Sequence, residues 1–188
     1  MRDFTLQIFE LLCTRMQKKD YKFITFSDYC SINIPEKFVI LRHDVDRKAS
    51  NALEIAKLEN KLKIKASYYF RIVEESFDEF VIREITKMNH ECGYHYEDLS
   101  LANGNFEQAI GKFRKNLRKF RELCSVNTIC MHGSPLSRWD NRLIWQRYDY
   151  RDYGIIGEPY FDTDFNRVVY LTDTGRCWNG ARSLASER

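Results

Sequence analysis

The chain has 188 residues and no apolar run approaching the ~18 that a membrane-spanning helix needs. Its N-terminus, MRDFTLQIFE, carries charges where a secretory signal would be apolar, so an export signal is not expected. None of the six cysteines (Cys13, Cys30, Cys92, Cys124, Cys130 and Cys177) stands in a CxxC pair, and several fall inside expected strands or helices. They are therefore expected as reduced, mostly buried thiols of a cytoplasmic protein. Charge of one sign is also scarce. Thirty Lys+Arg against 27 Asp+Glu leave a net of +3, too little to argue for nucleic acid or a membrane surface as partner. The densest basic stretch, residues 111–121 (GKFRKNLRKFR), alternates with apolar residues at helical spacing and reads as the solvated face of a helix. There is no internal repeat, no low-complexity segment and no glycine-rich phosphate loop. The last absence leaves phosphate chemistry with little support.

What is present is an ordinary globular composition, 44% hydrophobic and 30% charged, in a length that suits one domain over residues 1–188. Phe4, Ile8, Leu11, Leu12 and Met16 have helical spacing, so an added N-terminal helix is expected over 3–18. Residues 21–26 read as a short strand or an extended lead-in, and Pro35 marks a break. Residues 38–41, FVIL, form an unbroken apolar run, the pattern of a strand covered on both faces.

A helix over 49–63 follows, with Ala49, Ala52, Leu53 and Ala56 on its inner face. Next come a strand over 64–71, a helix over 77–90, a strand over 92–96, a helix over 106–123 and a strand over 126–132. Gly133 and Pro135 punctuate the turn after it. Beyond this point a short helix is expected over 141–148, a short apolar piece over 154–157, a strand over 167–171 (RVVYL) and a loop over 172–178. Strand and helix alternate up to residue 132, which predicts parallel βα units with right-handed connections. The expected fold class is α/β, as a distorted (β/α) barrel.

Polar groups recur at the ends of these strands, where parallel α/β folds bind their ligands. RHDVD places Asp44 and Asp46 after the first strand, His95 ends a later one, and His132 ends the last. Two neutral imidazoles and one carboxylate are a common ligand set for a divalent metal with open positions. A further carboxylate that is not a ligand can act as general base toward water. Side chains alternate along a strand, so Asp44 and Asp46 point to one side and Val45 to the other. Taken singly, an aspartate here is as well explained by a helix cap, and a histidine by packing. Their convergence carries the metal expectation.

RHDVD followed by a strand-borne GYH resembles the carbohydrate esterase family 4 type of polysaccharide deacetylases. In that family the first Asp is the base, the second binds the metal, and a later E-[IV]-G-x-H-x-x-x-H pattern adds two histidine ligands. Glu91-Cys92-Gly93-Tyr94-His95 matches the first half of that pattern. The second half departs, because Leu99 occupies the second histidine's place. The segments RHDVDR, KASYYFR, GYHYE, MHGSPLS and YLTDTGR resemble a divergent bacterial branch, over residues 37–182. The resemblance implies a distorted barrel and hydrolysis of an acetyl group from an acetylated sugar or glycan. It implies Asp44 as general base and Asp46, His95 and His132 as ligands of one divalent metal, zinc first. Asp98, three residues after His95, is the rival third ligand.

Tyr68, Tyr69, Tyr94, Tyr96 and Trp139 are candidates to stack on a sugar ring, or else ordinary core aromatics. Arg42, Arg71, Glu158, Asp162, Asp164, Asp173 and Arg176 are candidate rim residues, or else solvated surface. A second reading is a non-catalytic sugar-binding or scaffold protein on a degraded deacetylase fold. Leu99 favours it, and the pair Asp44 and Asp46 speaks against it. A metal hydrolase acting on another amide or on a phosphate is a third. Members of the branch continue past RVVYL with a late His-Pro-containing strand, whereas this sequence ends GARSLASER. A C-terminally incomplete barrel with an open edge that favours self-association is therefore expected.

Overall fold

The computed structural model describes residues 4–31, 34–134 and 137–173. Pro135, Arg176, Cys177 and most of the expected loop over 172–178 lie outside them. Helix α1 (Leu6–Gln17) starts at Thr5, whose side chain accepts from the Ile8 N–H. Strand β1 (Lys22–Ile24) is shorter than its expected span. The chain turns at once into the short helix α2 (Phe26–Tyr29), because Thr25 and Asp28 form a reciprocal capping box. The apolar run then forms β2 (Phe38–Ile40), which pairs in parallel with β1. Strand β3 (Arg42–Val45) follows directly after Leu41.

Strands β3, β4 (Ser67–Phe70), β5 (Glu91–Tyr96) and β6 (Ile129–Met131) make one parallel sheet in the order β3-β4-β5-β6. Spatial order follows chain order, so every right-handed crossover returns on the same side. The crossovers carry helices α3 (Ala49–Lys61), α4 (Glu79–Lys87), α5 (Asp98–Leu101) and α6 (Phe106–Arg121). With helices on one face only, the sheet curls into a half-barrel whose concave face is left for other work. The α/β expectation and the alternation up to residue 132 are thus met, and a distorted barrel is compatible with this sheet. Registry aligns Arg42 with Ser67 and Ser67 with Glu91, and aligns Asp44 with Tyr69 and Tyr69 with Gly93. These residues share the concave face, as do His95 and Cys130.

The convex face holds the apolar core. Val45, Phe70, Tyr94 and Ile129 are buried there against Ala49, Ala52, Ala56, Val81, Ile85, Phe113 and Phe120. Helix α6 buries Ala109, Phe113, Leu117 and Phe120 and leaves its Lys and Arg residues mostly in water, as the pattern of 111–121 predicts. Helix α3 buries its three alanines as expected, and these small side chains let it lie close to the strands.

Later segments depart from expectation. Residues 141–148 form a 3-10 helix, Asn141–Gln146, and a second such turn spans Tyr150–Tyr153. The apolar piece at 154–157 meets the edge of β6 through a single parallel bridge between Thr128 and Gly157. Helix α7 (Pro159–Asp162) is capped by Glu158. The strand expected over 167–171 does not form. Val169 is 83% and Leu171 59% exposed, so the run finds no edge to pair with, and β propensity alone does not hold a strand. No helix among the described residues is long and apolar enough to cross a membrane.

Candidate metal centre on the concave face

Alternation along β3 sends Arg42, Asp44 and Asp46 to the concave face and His43 and Val45 to the convex one, where Val45 is buried. Strand β5 adds His95 and Glu97 from the same periodicity, and the end of β6 adds His132. The structure brings Asp46, His95 and His132 together. His132 Nδ1 lies 3.0 Å from Asp46 Oδ1 and 3.2 Å from His95 Nε2, and His95 Nε2 lies 3.6 Å from Asp46 Oδ1. Donors bound tetrahedrally at the 2.0–2.2 Å of zinc–nitrogen and zinc–oxygen bonds stand about 3.4 Å apart. The three observed edges straddle that value, so the donor set fits a single small divalent ion.

The tautomer of His95 also fits. Its Nδ1–H donates to the Cys130 carbonyl at 3.0 Å, which leaves the Nε2 lone pair aimed at Asp46 and His132. Burial lowers the pKa of His95 against the opposing pull of Asp44, which favours the neutral imidazole that a metal needs. Burial alone would raise the pKa of Asp46. The hydrogen bond from His132 and the charges of His95, His132 and Arg71 outweigh it and hold the carboxylate below its usual range.

Asp44 stands beside this triangle with one oxygen 4.0 Å from His95 Nε2, and is not fully covered. Arg42 Nη2 donates to the same oxygen at 3.0 Å. The Arg42 guanidinium is itself held over the Tyr160 ring at 5.3 Å and the Tyr170 ring at 5.7 Å. A second donor group, Asp44, His95 and Cys130, overlaps the first. Burial pushes the Cys130 thiol well up, away from the thiolate that binds metals, so the first group is the better ligand set.

Asp98 is not near the metal triangle. Its carboxylate accepts from the Tyr94 hydroxyl at 2.9 Å and the Asn116 side chain at 3.0 Å, on the convex side beneath α6. It is fully buried, and burial raises its pKa to about 7. The spacing His95-x-x-Asp98 suggests a ligand. Three residues is an odd step, however, so the alternation of β5 carries Asp98 to the side of Tyr94 and Tyr96 as the chain enters α5. Leu99 is core.

Of the candidate sugar-stacking aromatics, Tyr68, Tyr69, Tyr94 and Tyr96 are all buried. Tyr69 lies on the concave face but bonds Thr128 and crosses over Gly93, where an added Cβ would sit 2.6 Å from its ring. That contact explains the glycine of the GYH segment. Trp139 is only partly covered and borders a shallow cleft with Met131, His132, Ser134 and Arg138.

Of the site neighbours, the sequence offers Arg42, Arg71 and Glu158 only as rim candidates and does not point to Glu97. Arg71 grips Glu97 with two bonds of 2.8 and 2.9 Å, and Glu97 lies 4.0 Å from His132 Nε2. Glu158 is wholly buried and accepts from the Met131 N–H at 2.9 Å, next to His132. Its pKa is raised by burial to about 7. Arg42 and Glu97 have a signal in the chain, since each lies two residues from a site residue on its own strand or strand extension. Asp162 is taken up by Tyr150, Arg151 and the Glu158 N–H, and Asp164 caps a turn, so both are structural. Asp173 is exposed.

Compared with models of protein families, with curated proteins and with solved structures, the chain matches none.

Proposed function

We propose that the protein is a metal-dependent hydrolase that removes an acetyl group from an acetylated sugar or glycan. The convergence of Asp46, His95 and His132 into one donor triangle, with Asp44 alongside, is the observation that carries this proposal. The acetyl-sugar substrate comes from the resemblance of the RHDVD and GYH segments. Asp46, His95 and His132 would hold a divalent ion, zinc first, which would supply a Lewis acid and make water a better nucleophile near neutral pH.

The chain's own groups do the rest. Asp44 takes the proton from water as it attacks the acetyl carbonyl, an effect typically worth ~100- to 10,000-fold. Arg42 fixes the carboxylate of Asp44 and places a positive charge 3.0 Å from it. The Cys130 carbonyl locks the ring of His95, and Asp46 holds His132 in place.

The test is metal content after purification without chelator, followed by acetate release from a panel of N- and O-acetylated sugars. One equivalent of metal with acetate release supports the proposal. Metal with no acetate from any sugar moves the substrate to another amide or ester. Neither metal nor acetate overturns the proposal in favour of a sugar-binding protein.

A further inference from the structure

Next to His132 the surface opens into a cleft of about 380 Å³, within the ~300–1,000 Å³ typical of small-molecule sites. His132 lines it, so the cleft adjoins the metal triangle. Its other wall, residues 137–141, is firmly held. Trp139 sits on Gly104, where a Cβ would run into the indole ring, and the φ of +81° at Gly104 suits glycine. The Trp139 N–H donates to Ser137 Oγ at 3.0 Å, and its carbonyl accepts from Ser100 Oγ at 3.1 Å. Asn141, 1% exposed, donates to the His132 carbonyl at 2.9 Å and accepts from the Ser100 N–H at 2.9 Å. The wall is thus tied both to α5 and to the backbone of a metal-site histidine.

The arginines around the site and the cleft differ in what they hold. Arg42 pairs with Asp44 at 3.0 Å, Arg71 with Glu97 at 2.7 Å and Arg142 with Asp140 at 2.6 Å. Arg138 has no carboxylate partner among the described residues. Its exposed guanidinium lies over the Trp139 ring, 5.1 Å from the centroid. A guanidinium over a ring is anchored through its face and keeps its N–H edge for an anion. The Ser134 hydroxyl accepts from Asn141 at 3.5 Å and donates to no acceptor among the described residues. Asp140, the carboxylate in this wall, has both oxygens bonded to Arg142. The cleft therefore offers an anchored positive charge and a spare donor, with its own carboxylate already neutralised.

We infer that this cleft binds an anionic group carried by the acetylated sugar, a carboxylate or a phosphate, and that Arg138 is the residue that recognises it. The sugar rests on the function proposed above, whereas its negative charge rests on the cleft alone. A substrate whose acetyl carbonyl lies at the metal triangle reaches the cleft past His132, because that residue borders both. An arginine fork matches two oxygens of a carboxylate or a phosphate, and a charge-assisted contact of this kind is worth ~10- to 100-fold in affinity. Trp139 acts through Arg138 as a positioning residue, since it holds the guanidinium at the edge of the cleft. The two anions share this chemistry, and the choice of probes separates them.

The test measures binding to the full chain by calorimetry, in chelator and again with zinc added. The probes are N-acetylglucosamine, its anomeric phosphate, and N-acetylglucosaminuronic acid. The parent binds one of the two anionic probes ~10- to 100-fold more tightly than the neutral sugar, and salt weakens that preference. In Arg138→Gln the preference shrinks below ~3-fold, and in Arg138→Lys, which keeps the charge without the fork, it is only partly retained. Arg114→Gln removes the same charge from the exposed face of α6 and keeps the preference in full. Both arginines are exposed, so the fold is not at stake in these variants. The inference is overturned by no binding of any probe with or without zinc, by equal affinity of the parent for all of them, or by a preference that survives Arg138→Gln. Loss of the preference in Arg114→Gln as complete as in Arg138→Gln also overturns it. Acetate release is read in parallel on the zinc-loaded protein. Release without a charge preference keeps the hydrolase and discards the anionic subsite, whereas a charge preference without release keeps the subsite and discards the deacetylase.

Discussion

The chain has four histidines, and they divide into two pairs on opposite faces of the same sheet. His43 and His90 lie on the convex side around Glu59, which is 0% exposed. Glu59 lies 2.7 Å from His43 Nε2 and accepts from the Tyr68 hydroxyl at 2.5 Å. Both nitrogens of His90 are used by backbone, Nδ1 accepting from the Ala66 N–H and Nε2 donating to the Ala56 carbonyl. On the concave side, His95 and His132 turn nitrogens toward each other and toward Asp46. The residue types are the same in the two places, and the hydrogen-bond ledger differs. Around Glu59 each acceptor has a donor. At Asp46 three acceptors converge, and a proton between His132 and Asp46 serves only one edge of the triangle. A group that folding alone requires is satisfied by folding, whereas a converging set of acceptors is completed by a cation.

Crossed substitutions test this contrast most strongly. His95→Ala abolishes stoichiometric metal binding, read by elemental analysis after dialysis, and leaves the metal-free protein folded, at a cost of about 1–3 kcal/mol for the bond lost at the Cys130 carbonyl. Glu59→Ala does the reverse. It strands His43 and Tyr68 in the core and costs about 3–5 kcal/mol, the usual penalty for breaking a buried pair. Its metal stoichiometry is unchanged while it remains folded. If Glu59→Ala lost metal without losing stability, or if His95→Ala unfolded the metal-free protein, the division of the two regions would fail.

Asp44→Asn sharpens the comparison within the concave region. The amide keeps the size of the side chain but cannot take a proton. Metal occupancy stays at the parent level, and acetate release falls ~100- to 10,000-fold. Arg42→Gln acts through Asp44 and gives a smaller loss of turnover, about 10- to 100-fold, again with full metal content. A variant in which occupancy and turnover fell together would make Asp44 a ligand and leave the role of base unassigned.

The difference between the two faces was legible in the chain only in part. A strand-end residue can be placed from periodicity, so Asp44, Asp46, His95 and His132 were placed at one end of a parallel sheet. The same period of two reaches Arg42 from Asp44 and Glu97 from His95. These neighbours carry the fixing of the site; a search confined to metal-binding residue types leaves Arg42 on the rim, and Glu97 stands out only once the strand's period is followed past His95. Glu158 was legible only as a rim residue, since it reaches the Met131 backbone from a later helix start that no local pattern links to β6. The RVVYL strand failed for the opposite reason. Its local pattern is strong, but a strand exists only with a partner, and a partner is a property of the whole fold. Tyr68, Tyr94 and Tyr96 are drawn into the helix–sheet core by the same alternation that sends His95 to the concave side.

Asp98 gives the smallest and most discriminating prediction. By sequence it belongs with the metal ligands, and by structure with the convex face, so Asp98→Asn leaves metal occupancy unchanged. What changes is the dependence of stability on pH. The folded pKa of about 7 lies well above the usual value for an aspartate, because burial disfavours the charged carboxylate more than Tyr94 and Asn116 favour it. A raised carboxylate pKa stabilises the fold below the unfolded pKa, and that contribution is lost as pH rises through the folded one. Between about pH 4 and pH 7 the parent therefore loses stability relative to Asp98→Asn, whose amide does not titrate and can still bond Tyr94 and Asn116. Glu158, also raised to about 7, adds a slope of the same sign in both proteins, and Asp46, lowered, adds one of opposite sign in both. The difference between the two urea midpoints, measured in chelator at several pH values, isolates Asp98. A difference that stays constant from pH 4 to pH 7 would mean that Asp98 ionises freely in the fold. Loss of metal in Asp98→Asn, with His132→Ala still loaded, would return Asp98 to the ligand set and remove His132 from it.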